Sequence, residues 1–156
     1  MGGLMVEIRR ATLDALDQIL EWLVDWNIAD GCEITEDTIT TDATLLAEHL
    51  NNPGDVFLLA FVDGEPAGML LCQVQRAHLG QDSSLDASLL YVDPKHRGGS
   101  VARRLIEAGM QVSKDAGVRR IAMVINGDRV PAVYSRLGFK QEAMIVSMEV
   151  GDEQGC

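Results

Sequence analysis

Apolar positions along the chain change period several times, and each change marks an element. Residues 6–10 read as a short strand. Thr12 is placed to cap a helix, with Asp14 in its first turn favourable to the dipole. Leu16, Ile19, Leu20, Leu23 and Val24 then recur at helical spacing and predict one apolar face. That period fades over residues 27–41, which carry Asp30, Glu33, Glu36 and Asp37 and read as a loop or a short helix. A second helix is predicted after Asp42, with Leu45, Leu46 and Leu50 inward and Asn51-Asn52-Pro53-Gly54 ending it.

Residues 56–62 are a continuous apolar run of strand length. Asp63-Gly64 follows as a two-residue hairpin signal, and residues 66–75 return as the partner strand. After a polar turn over residues 76–84, residues 85–92 form another strand, stopped by Pro94. Gly98-Gly99 precede a helix with Val101, Leu105, Ala108 and Val112 inward, closed by Ala116-Gly117. Residues 118–125 read as a strongly apolar strand, residues 132–137 as a short helix, and residues 139–150 as a last strand before a frayed tail. The order β-α-α-β-β-β-α-β-α-β predicts an α/β fold (an α+β mixed sheet) with helices on both sides.

Composition narrows what such a fold does. The 156 residues suffice for one domain, expected to span residues 1–156 with its core at about 6–150. Aromatics are 4%, so the core is built from aliphatics and seven Met. A net charge of −11 argues against broad binding to nucleic acid or an anionic membrane face, because the long-range field repels phosphate. No apolar run is long enough to span a bilayer, and no basic-then-apolar leader opens the chain. Cys32, Cys72 and Cys156 are far apart and fit neither a zinc pattern nor a disulfide framework, so a soluble protein of the reducing cytoplasm is expected.

The chemistry-bearing stretch runs from Val92 through Asp93-Pro94-Lys95-His96-Arg97-Gly98-Gly99-Ser100-Val101-Ala102-Arg103-Arg104 to Leu105. A strand ends, a glycine-containing turn follows, and a helix begins. That arrangement aims unpaired N–H groups into one small volume with the positive end of the helix dipole behind them. Such a nest suits a pyrophosphate. Four of the thirteen basic residues, Lys95, Arg97, Arg103 and Arg104, fall in this window of an acidic chain. Glycines alone leave a second reading open, a plain strand–helix turn with solvated arginines around it.

This stretch resembles the GNAT superfamily of acetyltransferases, whose signature is Gln/Arg-x-x-Gly-x-Gly/Ala. Arg97-Gly98-Gly99-Ser100-Val101-Ala102 matches it at the first and last positions, with Ser100 where the middle glycine usually stands. Leu90-Tyr91-Val92-Asp93-Pro94 is similar to the family's fourth strand and its exit. Residues 131–139, with Tyr134 on a short helix before Gly138-Phe139, are similar to its later motif. Asn126 stands near the family's asparagine.

The resemblance implies a sheet splayed between its fourth and fifth strands, with the pantetheine arm of acetyl-CoA lying between them. Main-chain groups near Leu90, Tyr91 and Val92 would pair with that arm. Arg97, Gly98, Gly99, Ser100, Val101, Ala102 and Arg103 would hold the pyrophosphate, with Asn126 as a further cofactor contact. It implies direct transfer of the acetyl group to a primary amine, a small molecule or a protein amine, with no covalent enzyme intermediate and no metal. It also admits a homodimer. A module that binds CoA without catalysis, and an acyltransferase using a longer donor, are the rival readings.

An amine with a pKa of about 10.4 is protonated at neutral pH, so it needs a base before attack, and the departing thiolate needs an acid. Tyr134 is the expected acid, by its place in the family's motif. Asp86 is the expected base, six residues before Val92, and strand alternation puts Asp86, Ser88, Leu90 and Val92 on one face. Asp86 is shorter than the glutamate some family members use there, so it would act through water. His96 reads as an exposed loop residue, and His49 and His78 have no visible partner. Cys32 and Cys72 read as buried thiols. Trp22 and Trp26 read as packing, and Asp30, Glu33, Glu36 and Asp37 as an acidic run able to draw a cationic acceptor.

Overall fold

The computed structural model describes residues 4–75, 83–124, 131–142, 146–148 and 150–151, and the chain divides into two compact units, Met1–Met123 and Val124–Cys156. In the first unit five strands form one sheet in the order β1-β2-β3-β4-β5: β1 (Val6–Arg10), β2 (Asp55–Val62), β3 (Glu65–Gln75), β4 (Ser84–Val92) and β5 (Arg120–Met123). The first four are antiparallel neighbours, and β5 joins β4 in parallel. The β2–β3 hairpin turns through Asp63 (φ 50°) and Gly64 (φ 85°), the pair of positive φ angles that a two-residue turn matching strand twist requires.

Helices α1 (Leu16–Ala29) and α2 (Glu36–Asn51) cover one face, where Ile19, Trp22 and Leu46 pack with Phe57, Met69, Leu71 and Tyr91. Helix α3 (Val101–Asp115) covers the other, where Val101 and Leu105 pack with Leu58, Leu70 and Leu85. Fully burying one such aliphatic side chain stabilises by about 1.5–3 kcal/mol, and both faces of the sheet are filled this way. Helix α3 comes in close because Gly68 of β3 has no side chain. A Cβ there would meet Tyr91 O at 2.7 Å and Val101 Cγ1 at 3.1 Å. This contact fixes the N-terminus of α3 against the end of β4.

Several local expectations change. Thr12 makes no side-chain cap; a 3-10 turn (Leu13–Ala15) intervenes and α1 starts at Leu16. Helix α2 starts at Glu36 rather than after Asp42, because Thr35 Oγ1 accepts the Thr38 N–H at 3.2 Å and closes its first turn. The second unit contains α4 (Ala132–Arg136). Its described residues 139–142 and 146–148 form no strand, against the expected run over 139–150. Phe139 instead folds back, its N–H bonded to Tyr134 O at 3.0 Å, while Val146, Met148 and Val150 stand exposed.

Candidate active site

Strand β4 holds the centre of the site, and its irregularity decides the geometry. Leu89 pairs with Leu71 and Ala87 with Cys72, so Ser88 is an extra residue with no counterpart on β3. The Ser88 hydroxyl donates to Leu71 O at 3.3 Å. Such a bulge bends its strand and sharpens the twist. The ladder to β5 stops at the same place, running only from Ser84–Arg120 to Ala87–Met123. Residues 88–92 therefore have no partner strand on that side among the described residues. The Asp93 N–H turns to Ala67 O on β3 (2.8 Å), so by alternation Val92 and Leu90 turn their main-chain groups to the open side, and Tyr91 turns its own to β3.

The bulge also reverses side-chain alternation. Leu85, Ala87, Leu90 and Val92 all pack on the α3 face, whereas Leu89 and Tyr91 pack on the α1/α2 face. Asp86 pairs across the ladder with Gln73 and shares the α1/α2 face with it, so it does not share a face with Leu90 and Val92 as unbroken alternation predicts. Its Oδ1 accepts the Ser84 hydroxyl at 2.7 Å.

Beyond β4, Pro94–His96 form a 3-10 turn, Gly98 takes φ 84°, and α3 begins at Val101 after Ser100. A Cβ at Gly98 would meet nothing within 4 Å, so it is the backbone angle that calls for glycine there. The first helical bond is Arg104 N–H to Ser100 O (2.9 Å), and the Arg97 N–H reaches Pro94 O at 3.5 Å. Between them, the N–H groups of Gly98, Gly99, Ser100, Val101, Ala102 and Arg103 have no acceptor among the described residues. The Arg97 Nε donates to Val92 O at 2.8 Å, and its guanidinium lies 5.3 Å from the Tyr91 ring centre.

Asp93 ties this turn to α1. It accepts the Lys95 N–H at 3.0 Å and the Trp22 indole N–H at 3.1 Å. Partial burial pushes its carboxyl up, but those two bonds and the charges of Lys95 and His96 outweigh that and hold it below the ordinary range. Burial, opposed by nearby Arg97, raises the Tyr91 phenol. Tyr91 packs between Trp22 and Trp26, with ring centres 5.9 and 5.8 Å away. His96 is half-buried rather than exposed, with Nε2 3.6 Å from the Glu65 carboxylate.

On the α1/α2 face lies a cavity of about 530 Å³. Its floor is Leu71, Gln73, Ser88 and Leu89; its walls include Trp26, Asn27 and Asp30 of the α1 end and Asp42, Leu45 and His49 of α2. Of the expected acidic run only Asp30 reaches it, while Glu33, Glu36 and Asp37 stand exposed. Asp42 was not singled out by sequence, and His49 was read there only as a residue with no visible partner. His49 does have a partner, Asp55 Oδ2 at 2.6 Å from its Nδ1, and no local motif announces that pair.

Tyr134 lies on α4 in the second unit, half-buried, its ring edge-on to Phe139 at 6.0 Å; burial raises its phenol. Asn126 and His78 lie outside the described residues. Cys72 is a buried free thiol pushed up to about 12, by burial first and then by the charge of Asp86. Cys32 is not the buried thiol expected: it is half-buried and disulfide-bonded. No helix among the described residues is long and apolar enough to cross a membrane.

Among the described residues β4 parts from β5 just before the N-terminus of α3, and sequence comparison gives the class of protein. Residues 16–139 match the model of the acetyltransferase (GNAT) family. The chain belongs to that family. It is 28% identical over 131 residues to a mycothiol acetyltransferase of Amycolatopsis mediterranei, covering 81% of this chain and 42% of that protein. The chain thus spans less than half the length of the curated relatives it matches. A predicted acetyltransferase from Clostridium acetobutylicum, solved with acetyl-CoA, shares the fold at a TM-score of 0.76 and 15% identity, covering 93% of this chain and 96% of that one. The aminoglycoside N-acetyltransferase AAC(6')-Iy, solved with CoA, does so at 0.73 and 19%, covering 96% and 97%.

Proposed function

We propose that this chain, acting as one domain, is an N-acetyltransferase that moves the acetyl group of acetyl-CoA directly to a primary amine. The side of β4 at residues 88–92 that meets no partner strand among the described residues, leading straight to the amides of residues 98–103 that have no acceptor among them, is the observation that carries this reading. Main-chain groups of Leu90 and the N–H of Val92 pair with the pantetheine amides, and the amides from Gly98 to Arg103 receive the pyrophosphate. Arg97, Arg103 and the dipole of a 15-residue helix add positive potential where the net charge of −11 would otherwise repel an anion.

The thioester then lies beside Ser88, at the floor of the cavity. A cationic amine enters between Asp30 and Asp42, whose carboxylates oppose its charge. Asp86, on the same face, acts through water as a base. Tyr134, whose phenol burial keeps protonated, delivers a proton to the departing sulfur. A thiol pushed up to about 12 is a poor nucleophile at neutral pH, which supports transfer without a cysteinyl intermediate. One relative is named a mycothiol acetyltransferase and one structural neighbour an aminoglycoside N-acetyltransferase, and an aminoglycoside falls within the amine class this cavity would take.

The test is release of CoA thiol from acetyl-CoA in the presence of spermidine, kanamycin or a lysine-containing peptide, with the acetylated amine identified by mass. Amine-dependent release is expected with at least one of them, and acetyl-CoA is expected to outcompete succinyl-CoA in a calorimeter. Tight acetyl-CoA binding with no transfer to any amine would make the protein a CoA-binding module instead.

A further inference from the structure

We propose that His49 is the group that takes the first proton from the acceptor amine, with Asp55 as its positioning residue; this rests on the acetyl-transfer reading above. His49 sits in the last turn of α2 and lines the cavity, and Asp55 opens β2 six residues later. The turn at Asn52-Pro53-Gly54 brings them together, its Gly54 N–H held by Asn52 Oδ1 at 2.9 Å and its Asp55 N–H by Asn52 O at 3.1 Å. Asp55 is 8% exposed, and a carboxylate so buried is costly without a partner. Its partner is the imidazole, at 2.6 Å. Arg10 does not compete for that carboxylate: its Nη2 donates to the main-chain oxygens of Asp55 (3.0 Å) and Pro53 (3.4 Å).

A carboxylate accepts only, so Asp55 keeps the ring proton on Nδ1 and leaves Nε2 with its lone pair. Among the described residues Nε2 has no hydrogen-bond partner, and His49 shares the cavity with Ser88, where β4 parts from β5. The charged groups around the ring come from five elements. They are Asp55 and Arg10 at the β2 and β1 ends, Asp30 at the α1 end, Asp42 two turns earlier on α2, and Asp86 beside Gln73 on β4.

The nitrogen sheds two protons over the reaction. His49 Nε2 takes the first from the ammonium, which frees the lone pair for attack. The new C–N bond forms as the thioester carbonyl opens; the second proton passes through water to Asp86. The C–S bond then breaks with its electron pair on sulfur, which Tyr134 protonates. One proton returns to restore Tyr134, and the other leaves His49 for solvent.

The experiment measures kcat/KM against pH with acetyl-CoA and whichever of spermidine, kanamycin and the lysine peptide is turned over fastest. His49→Gln is expected to lower kcat/KM for the amine about 100-fold at neutral pH. It should remove the acid limb of the wild-type profile and leave the acetyl-CoA Kd within about twofold. Imidazole added to His49→Ala should restore part of the rate, which a merely structural role would not allow, and Asp55→Asn should lower kcat more than it changes KM. An acid limb that persists in His49→Gln overturns the proposal while leaving acetyl transfer intact. Absence of transfer to any amine by the wild-type protein overturns both. Should the variants fail to fold, 15N NMR of the wild-type ring decides: a neutral imidazole protonated on Nδ1 supports the proposal, and one protonated on Nε2 overturns it.

Discussion

Three side chains show how burial and charge set what a residue can do in this protein. Cys72 is fully enclosed beneath α3, and its thiol, pushed up to about 12, holds almost no thiolate at neutral pH. Cys72→Ala is therefore expected to keep kcat within about twofold of wild type while costing about 1 kcal/mol of stability, read by thiol-release kinetics and urea unfolding. Tyr134 is raised in the direction an acid requires: it keeps its proton through neutral pH. Tyr134→Phe should lower kcat about 10-fold or more with acetyl-CoA affinity unchanged, since the loss falls on thiolate departure alone. Asp93 runs the other way. Its folded-state carboxyl lies below its unfolded value, so the stability it contributes is present above pH ~4 and disappears as pH falls through the lowered value. Urea unfolding of Asp93→Asn should show a deficit of about 1 kcal/mol at pH 7 that closes in acid.

At the scale of elements, the turn before α3 depends on one backbone angle. Gly98 holds φ 84° with open space around it, so Gly98→Val strains the chain without a clash and swings the following amides off target. Calorimetry should read an acetyl-CoA Kd raised about 10-fold or more, with the thermal midpoint lowered by only a few degrees, the equivalent of about 1 kcal/mol. This element was legible in sequence because glycines, a strand exit and clustered arginines coincide there. The hairpin at Asp63-Gly64 and the inner face of α3 were legible for the same reason: local chemistry and period agree. The part of α2 after Asp42 was predicted, but its start was not, because Thr38, Ile39, Thr40 and Thr41 carry no helical signal and it rests on a cap by Thr35. Nor was the bulge at Ser88, which uses an ordinary serine and still turns Leu90 and Val92 to the opposite face from Asp86. The His49–Asp55 pair joins two elements across a turn, and residue spacing does not reveal such a contact.

At the scale of the whole molecule, an acidic protein of net charge −11 presents one basic turn at the mouth of its parted strands and a cavity with acidic walls on the adjoining face. In the proposed reaction the two substrates differ in sign, and each would meet the local charge that opposes its own. All of this hangs on the phosphates and the pantetheine arm meeting main-chain amides rather than side chains alone. Titration of 15N-labelled protein with acetyl-CoA reads those amides one by one. The N–H signals of Leu90, Val92 and residues 98–103 are expected to move together and saturate with a single Kd, while those of β1 and the β2–β3 turn stay in place. Saturable binding that leaves these amides unmoved, or no binding at millimolar acetyl-CoA, would contradict the account.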